Sequence, residues 1–102
     1  MVRIALFCSA GASTGILTKK MLEAAEEKQL EVSIHAYPEN QMEKLVGEID
    51  IALLGPQILF KKNTAEKIFN PANIKVMVIP PADYGRMDGK KVLEKTLEEL
   101  KK

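Results

Sequence analysis

The residues best suited to chemistry lie near the N-terminus, where Cys8 is followed by seven small, uncharged residues. In order, these residues are Ser9, Ala10, Gly11, Ala12, Ser13, Thr14 and Gly15. Small side chains let the backbone approach a ligand closely, and amide groups that converge at a helix N-terminus form a site for an anion. We therefore predict an anion-binding loop here, to which Ser9, Ser13 and Thr14 add hydroxyl donors.

The same geometry acts on the thiol of Cys8. A helix N-terminus favours negative charge, so it favours the thiolate, which is the nucleophilic form of cysteine. A thiolate beside a phosphate-sized loop is a plausible acceptor for a phosphoryl group. The alternative is that Cys8 is only a small buried apolar residue at the end of a strand. The small, polar loop that follows favours the nucleophile.

A hydrolytic enzyme is the main alternative function. Low-molecular-weight tyrosine phosphatases and arsenate reductases use a cysteine, five further residues and then an arginine that clamps the phosphate oxygens. In this chain Thr14 occupies the arginine position, and the loop contains no arginine. Asp83 could serve as the acid that hydrolysis requires. We predict that a loop of amides and hydroxyls holds a phosphoryl group without promoting its hydrolysis; a module that only binds an anion is a third possibility.

The composition narrows the class of protein. The chain has 102 residues, 46% of them hydrophobic, which predicts one globular domain over 1–102. Its formal net charge of +1 predicts no general attraction to nucleic acid or anionic membranes. One cysteine cannot form an internal disulfide, which fits a reducing cytoplasm. No signal peptide is evident, and no apolar run approaches the roughly 20 residues of a transmembrane helix. We expect a cytoplasmic protein.

Apolar runs alternate with helical patterns along the chain. Four Val- and Ile-rich runs predict strands at 2–7, 32–36, 49–54 and 74–79. Apolar residues at helical spacing predict helices at 17–28, 58–69 and 89–102, with a weaker, short helix at 41–46. This alternation predicts an α/β fold with a parallel sheet and helices on both faces.

The predicted fold indicates where a site would lie. Ligands of open α/β sheets bind at the carboxyl ends of the strands, where this chain has the loops 8–15, 37–41, 55–57 and 80–89. Gln57, Tyr84 and Asp88 fall in these loops and are candidates for the rim of a site around Cys8. Their alternative roles are a helix start for Gln57 and an ordinary turn for the other two. The sequence shows no metal-ligand cluster and no nucleotide-binding motif, so no cofactor is expected.

Four segments together carry a resemblance to a known family, and they are IALFCSAGASTGIL, AYPEN, DIALLGPQI and PADYGRMDG. Over essentially its whole length the chain resembles the stand-alone IIB component of the bacterial phosphoenolpyruvate-dependent sugar phosphotransferase system, in the lactose/cellobiose/chitobiose class. The resemblance implies a three-layer αβα fold with a four-stranded parallel sheet of order 2-1-3-4, like a reduced low-molecular-weight tyrosine phosphatase.

The resemblance also implies a function. Cys8 would be phosphorylated on sulfur, and the loop 9–15 would bind the phosphate. The donor would be a phosphohistidine on the IIA protein, and the acceptor would be a sugar of the cellobiose, chitobiose or lactose type held by the membrane-embedded IIC component. A surface that serves both partners should expose Cys8 within an apolar patch, for which Ala10, Ala12 and Ile16 are candidates.

Overall fold

The computed structural model describes residues 1–8 and 11–102, and for residues 11–13 it describes the backbone alone. Within this part of the chain the strands are β1 (Val2–Cys8), β2 (Val32–Pro38), β3 (Ile51–Leu54) and β4 (Lys75–Val78). The α-helices are α1 (Gly11–Glu27), α2 (Lys62–Phe69), α3 (Pro81–Gly85) and α4 (Gly89–Lys101). Short 3-10 helices cover Glu39–Leu45, Pro56–Lys61 and Asn70–Ala72.

The four strands form one parallel sheet in the order β2-β1-β3-β4, which confirms the predicted order. Strand β1 is central: Leu6 lies opposite Ala36 of β2 and Leu53 of β3. The residues of β1 from position 4 to position 8 are all buried, because helices cover both faces of the sheet at this strand. The central strand therefore delivers Cys8 to the carboxyl edge of the sheet.

Two apolar clusters, one on each face of the sheet, join the sheet to the helices on its two sides and so give three layers. One cluster joins Leu6 to residues of α1 and α4 such as Leu17 and Leu93. The other joins Phe7 to Phe69 of α2 and to residues of the 3-10 helices. Consecutive residues of a strand point to opposite faces, so adjacent positions of β1 supply both clusters. The predicted three-layer αβα arrangement is confirmed.

Helix boundaries differ from the prediction in four places. The predicted helix 17–28 is α1, which starts earlier, at Gly11, and ends at Glu27. The predicted helix 58–69 is divided into the 3-10 helix Pro56–Lys61 and α2, and the backbone departs from α-helical geometry at Lys61 (φ −90°, ψ 2°) where the two meet. Within the 3-10 helix, Ile58 is also non-helical (φ −114°, ψ 28°). The predicted helix 41–46 is the 3-10 helix Glu39–Leu45. The predicted loop 80–89 contains α3, whose first turn starts at Pro81, a residue suited to that position.

An ion pair holds the opposite, amino-terminal edge of the sheet. Asp50 precedes β3, and its carboxylate accepts hydrogen bonds from the Arg3 guanidinium at 3.1 Å and from the Arg3 backbone amide at 2.8 Å. The hydrogen bond from the guanidinium is the main cause that lowers the pKa of Asp50 below its usual value. The pair ties β1 to the chain entering β3.

Among the described residues, no helix is both long enough and apolar enough to cross a bilayer.

Candidate functional site

Cys8 is the last residue of β1, and its sulfur contacts the first turns of α1. The distance from Cys8 Sγ to Thr14 Oγ1 is 3.1 Å, within hydrogen-bonding range for sulfur. Thr14 is fully buried, and Cys8 is 2% exposed. The sequence places both residues here because β1 ends at Cys8 and α1 starts at Gly11, which brings Thr14 back over the sulfur. The thiol thus lies beside the N-terminal end of a 17-residue helix.

The expectation that Cys8 is exposed is wrong in this structure. The central position of β1 and the packing of Thr14 against the sulfur leave almost no accessible surface on Cys8. Of the residues predicted to surround it, Ile16 is 54% exposed, as expected of an apolar patch. Ala10 lies outside the described residues, and only the backbone of Ala12 is described. A molecule that is to react at this sulfur would therefore have to pass the residues that cover it.

The predicted anion-binding loop is in part the start of α1. Gly11, Ala12, Ser13, Thr14 and Gly15 all belong to the helix, whereas Ser9 and Ala10 lie outside the described residues. A helix N-terminus presents unpaired amide groups and a partial positive charge, so it is suited to an anion beside Cys8. Hydroxyl donation from Ser9 and Ser13 stays a prediction.

Gln57, a predicted rim residue, is brought close to Cys8. The backbone amide of Gly55 donates to the carbonyl oxygen of Phe7 at 2.9 Å, which fixes the start of this loop against β1. A Cβ atom placed on Gly55 would lie 2.7 Å from Gln57 Oε1 and 3.6 Å from Cys8 Cβ. The amide of Gln57 and the side chain of Cys8 therefore flank the same point, and the missing side chain of Gly55 leaves room for both.

Tyr84 and Asp88, the other predicted rim residues, have structural roles in the segment after β4. Tyr84 is buried in the apolar cluster that α1 and α4 share. Asp88 is the N-cap of α4, and its carboxylate accepts a hydrogen bond from the backbone amide of Lys91 at 3.1 Å. A contribution of either residue to chemistry at Cys8 stays a prediction.

Asp83, the candidate acid for a hydrolytic enzyme, forms an ion pair with Lys95. It is buried, and its Oδ2 lies 2.6 Å from Nζ of Lys95. The pair joins α3 to α4. Lys95 has no distinguishing signal in the sequence, because the pattern of α4 places it among similar lysines.

Two exposed apolar side chains were also missed. Leu59 is 57% exposed and Phe60 is 75% exposed, and both lie in the 3-10 helix that begins directly after Gly55. Large exposed apolar side chains are typical of protein–protein contact sites when they gather near one another. The available signal is the apolar run ILF before Lys61, which is one residue pair longer than a helix face at this spacing requires.

Comparison with known protein families gives a match over nearly the whole chain. Residues 3–95 match the family described as the lactose/cellobiose-specific IIB subunit of the PTS system. The chain is 38% identical over 97 residues to the oligo-beta-mannoside-specific EIIB component of the PTS system from Bacillus subtilis (strain 168), covering 95% of this chain and 94% of that protein. It is 37% identical over 95 residues to the cellobiose-specific EIIB component from Lactococcus lactis subsp. lactis, covering 88% of each chain.

Solved structures of IIB components are also similar to this chain. The cellobiose-specific phosphotransferase IIB component protein from Borrelia burgdorferi superposes with a TM-score of 0.80 at 34% identity, covering 98% of this chain and 92% of that one. The lactose-specific IIB component domain from Streptococcus pneumoniae superposes with a TM-score of 0.86 over 95% of both chains. Its sequence identity of 16% makes this second likeness one of fold alone.

Proposed function

Because the chain belongs to the lactose/cellobiose-specific IIB family of the phosphotransferase system, we propose that Cys8 is the residue that carries the phosphoryl group. IIB components of this system are phosphotransferase components that transfer phosphoryl groups to sugar. The observation that supports Cys8 is its place at the end of β1, with its sulfur against the first turns of α1. A phosphoryl group on this sulfur would lie beside the amides of the helix N-terminus.

In the proposed first step, the Cys8 thiolate attacks the phosphorus of a phosphohistidine on the IIA protein. The S–P bond forms as the P–N bond breaks, and the electron pair of that bond returns to the imidazole nitrogen, which can then take up a proton. In the second step, a hydroxyl oxygen of a sugar held by IIC attacks the phosphorus. The O–P bond forms as the S–P bond breaks, the sulfur leaves as thiolate with the electron pair of that bond, and the hydroxyl proton passes to solvent.

The surroundings of Cys8 favour transfer over hydrolysis. Thr14 stands where the hydrolytic pattern has its arginine, and its hydroxyl contacts the sulfur. The carboxylate of Asp83 is engaged by Lys95. A phosphatase or arsenate reductase needs a guanidinium to stabilise the transition-state charge, and this position does not supply one.

The partners and substrate belong to the same proposal. A IIA phosphoprotein would donate and a membrane IIC protein would present the sugar, on the cytoplasmic side, with residues 1–102 acting as a single phosphocarrier domain. The sugar would be of the cellobiose, chitobiose or lactose type. Exposed apolar side chains of Ile16 and Phe60, which lie on elements that start at the carboxyl edge, are suited to contact with these partners.

The test is phosphorylation of the full chain with labelled phosphoenolpyruvate, the general phosphotransferase proteins and the cognate IIA protein. We expect stable label on the wild-type chain and none on Cys8→Ser, provided that circular dichroism shows the variant to be folded. Addition of membranes that contain IIC and the sugar should move the label to the sugar. Undiminished label on folded Cys8→Ser would overturn the proposal, and rapid release of inorganic phosphate by the wild-type chain would favour a hydrolase.

A further inference from the structure

We propose that the hydroxyl of Thr14 is a positioning group that holds the Cys8 sulfur in its thiolate form. The proposal rests on the proposed function, in which Cys8 is the nucleophile. The structural basis is the 3.1 Å contact between Thr14 Oγ1 and Cys8 Sγ, made between two buried residues. Thr14 thus acts on the sulfur itself.

The direction of this hydrogen bond depends on the state of the sulfur. In the thiol state either atom can donate, but a thiolate has no hydrogen, so the hydroxyl of Thr14 must then be the donor. A hydrogen bond to a charged acceptor is stronger than one between neutral groups, and burial strengthens it further. The contact therefore stabilises the thiolate more than the thiol.

The backbone of Thr14 is hydrogen-bonded and its side chain is buried before any reaction occurs. Its backbone carbonyl oxygen accepts a hydrogen bond from the hydroxyl of Thr18 at 2.7 Å, one turn later in α1. A threonine in a helix has few accessible rotamers, and complete burial restricts Thr14 further. The hydroxyl of Thr14 is thus already beside the sulfur.

The two transfer steps should respond differently to this hydrogen bond. When Cys8 accepts a phosphoryl group, the sulfur loses negative charge, so stabilising the thiolate raises the fraction that can attack but weakens each thiolate as a nucleophile. When Cys8 gives the group up, the sulfur gains negative charge, so the same hydrogen bond favours its departure. Loss of the Thr14 hydroxyl should therefore slow donation at every pH and slow acceptance only where the thiol predominates.

The experiment is a pH titration of the full-length chain, followed by the ultraviolet absorbance of the thiolate. Because Cys8 is the one cysteine in the sequence, the thiolate signal has a single source once the tyrosine contribution is subtracted with Cys8→Ser. In Thr14→Val, which keeps the shape but not the hydroxyl, we expect the midpoint to rise by about one pH unit. Thr14→Ser keeps the hydroxyl and should restore most of the wild-type midpoint.

Thr96→Val is the matched control. Thr96 is also fully buried, and its hydroxyl donates to the carbonyl oxygen of Val92 at 2.7 Å within α4, away from Cys8. This variant should match the wild-type midpoint whatever it does to stability. If Thr14→Val does not fold, Thr14→Ala serves in its place, with folding checked by circular dichroism.

A wild-type midpoint in folded Thr14→Val or Thr14→Ala would overturn the inference. An equal rise in Thr96→Val would also overturn it, because the shift would then reflect a general loosening of the core. The titration uses no partner and no phosphate, so its result is independent of the labelling test. Label on Cys8→Ser would refute the carrier role of Cys8, whereas an unmoved midpoint would refute only the role of Thr14.

Discussion

The loop after β3 and the segment after β4 lie at the same edge of the sheet but differ in the contacts of their side chains. The loop after β3 brings the amide of Gln57 to the point that Cys8 also flanks, and Gly55 keeps that point open. The segment after β4 uses its side chains for packing and capping, since Tyr84 enters the core and Asp88 caps α4. From their positions in the sequence, both loops were equally good candidates for the rim of a site around Cys8.

The order of the strands explains the difference. Strand β3 pairs directly with β1, which carries Cys8, whereas β4 is the outermost strand and is separated from β1 by β3. The segment after β4 has to connect this outer strand to α4, which packs against α1. Adjacency in the sheet therefore places the start of the loop after β3 directly beside the strand that carries Cys8.

The largest effect on stability is expected from Gly89→Ala, at the end of the β4 segment. A Cβ atom here would lie 2.5 Å from the backbone nitrogen of Met21 and 2.6 Å from Lys20 Cβ, where α4 meets α1. Backbone cannot move aside cheaply, so we expect the free energy of unfolding to fall by about 1–3 kcal/mol, measured by urea denaturation. Gly85→Ala is the control, because no atom lies within 4 Å of its added Cβ. Equal stability of the two variants would contradict the close packing of α4 on α1.

A smaller effect is expected from Asp88→Ala. The variant loses the hydrogen bond that caps α4, so the free energy of unfolding should fall by about 1 kcal/mol in thermal or urea denaturation. Asp88→Asn keeps a capping oxygen and should recover most of the loss. The rate of phosphorylation, measured where both variants are fully folded, should match the wild-type rate. A slower rate in Asp88→Asn with wild-type stability would restore Asp88 to the rim and weaken the contrast between the loops.

The smallest effect on stability, but a clear one on transfer, is expected from Gly55→Ala. The added Cβ would meet only the flexible end of Gln57 at close range, so the free energy of unfolding should change by less than about 0.5 kcal/mol. The displaced amide should slow phosphorylation of Cys8 in a rapid-quench assay with the phosphorylated IIA protein. Gln57→Ala should reproduce that slowing. Wild-type rates in both variants would show that the amide near Cys8 has no part in transfer.

The sequence predicted the sheet well because its signals were local. The apolar runs of β1 and β3 are nearly continuous, as expected of strands covered on both faces, and the apolar stripe of α4 includes Val92 and Leu93, which are buried. Cys8 was likewise identified from its immediate neighbours.

The features that sequence reasoning missed depend on contacts between distant segments. The burial of Cys8 follows from the central place of β1, and the pairing of Asp83 with Lys95 follows from how α3 and α4 meet. The non-helical backbone of Ile58, whose side chain is buried in the core, is not revealed by the spacing of apolar residues. Tertiary packing overrides local pattern at each of these positions.

The central position of β1 has a consequence for motion. Its residues from position 4 to position 7 pair with strands on both sides, so their amide protons should exchange with solvent only when the protein unfolds globally. Strand β4, with one neighbour and half-buried side chains, should exchange through smaller openings. We therefore expect Cys8 to stand at the end of one of the slowest-exchanging segments. We also expect the backbone that carries the Cys8 sulfur to open less readily than strand β4 does.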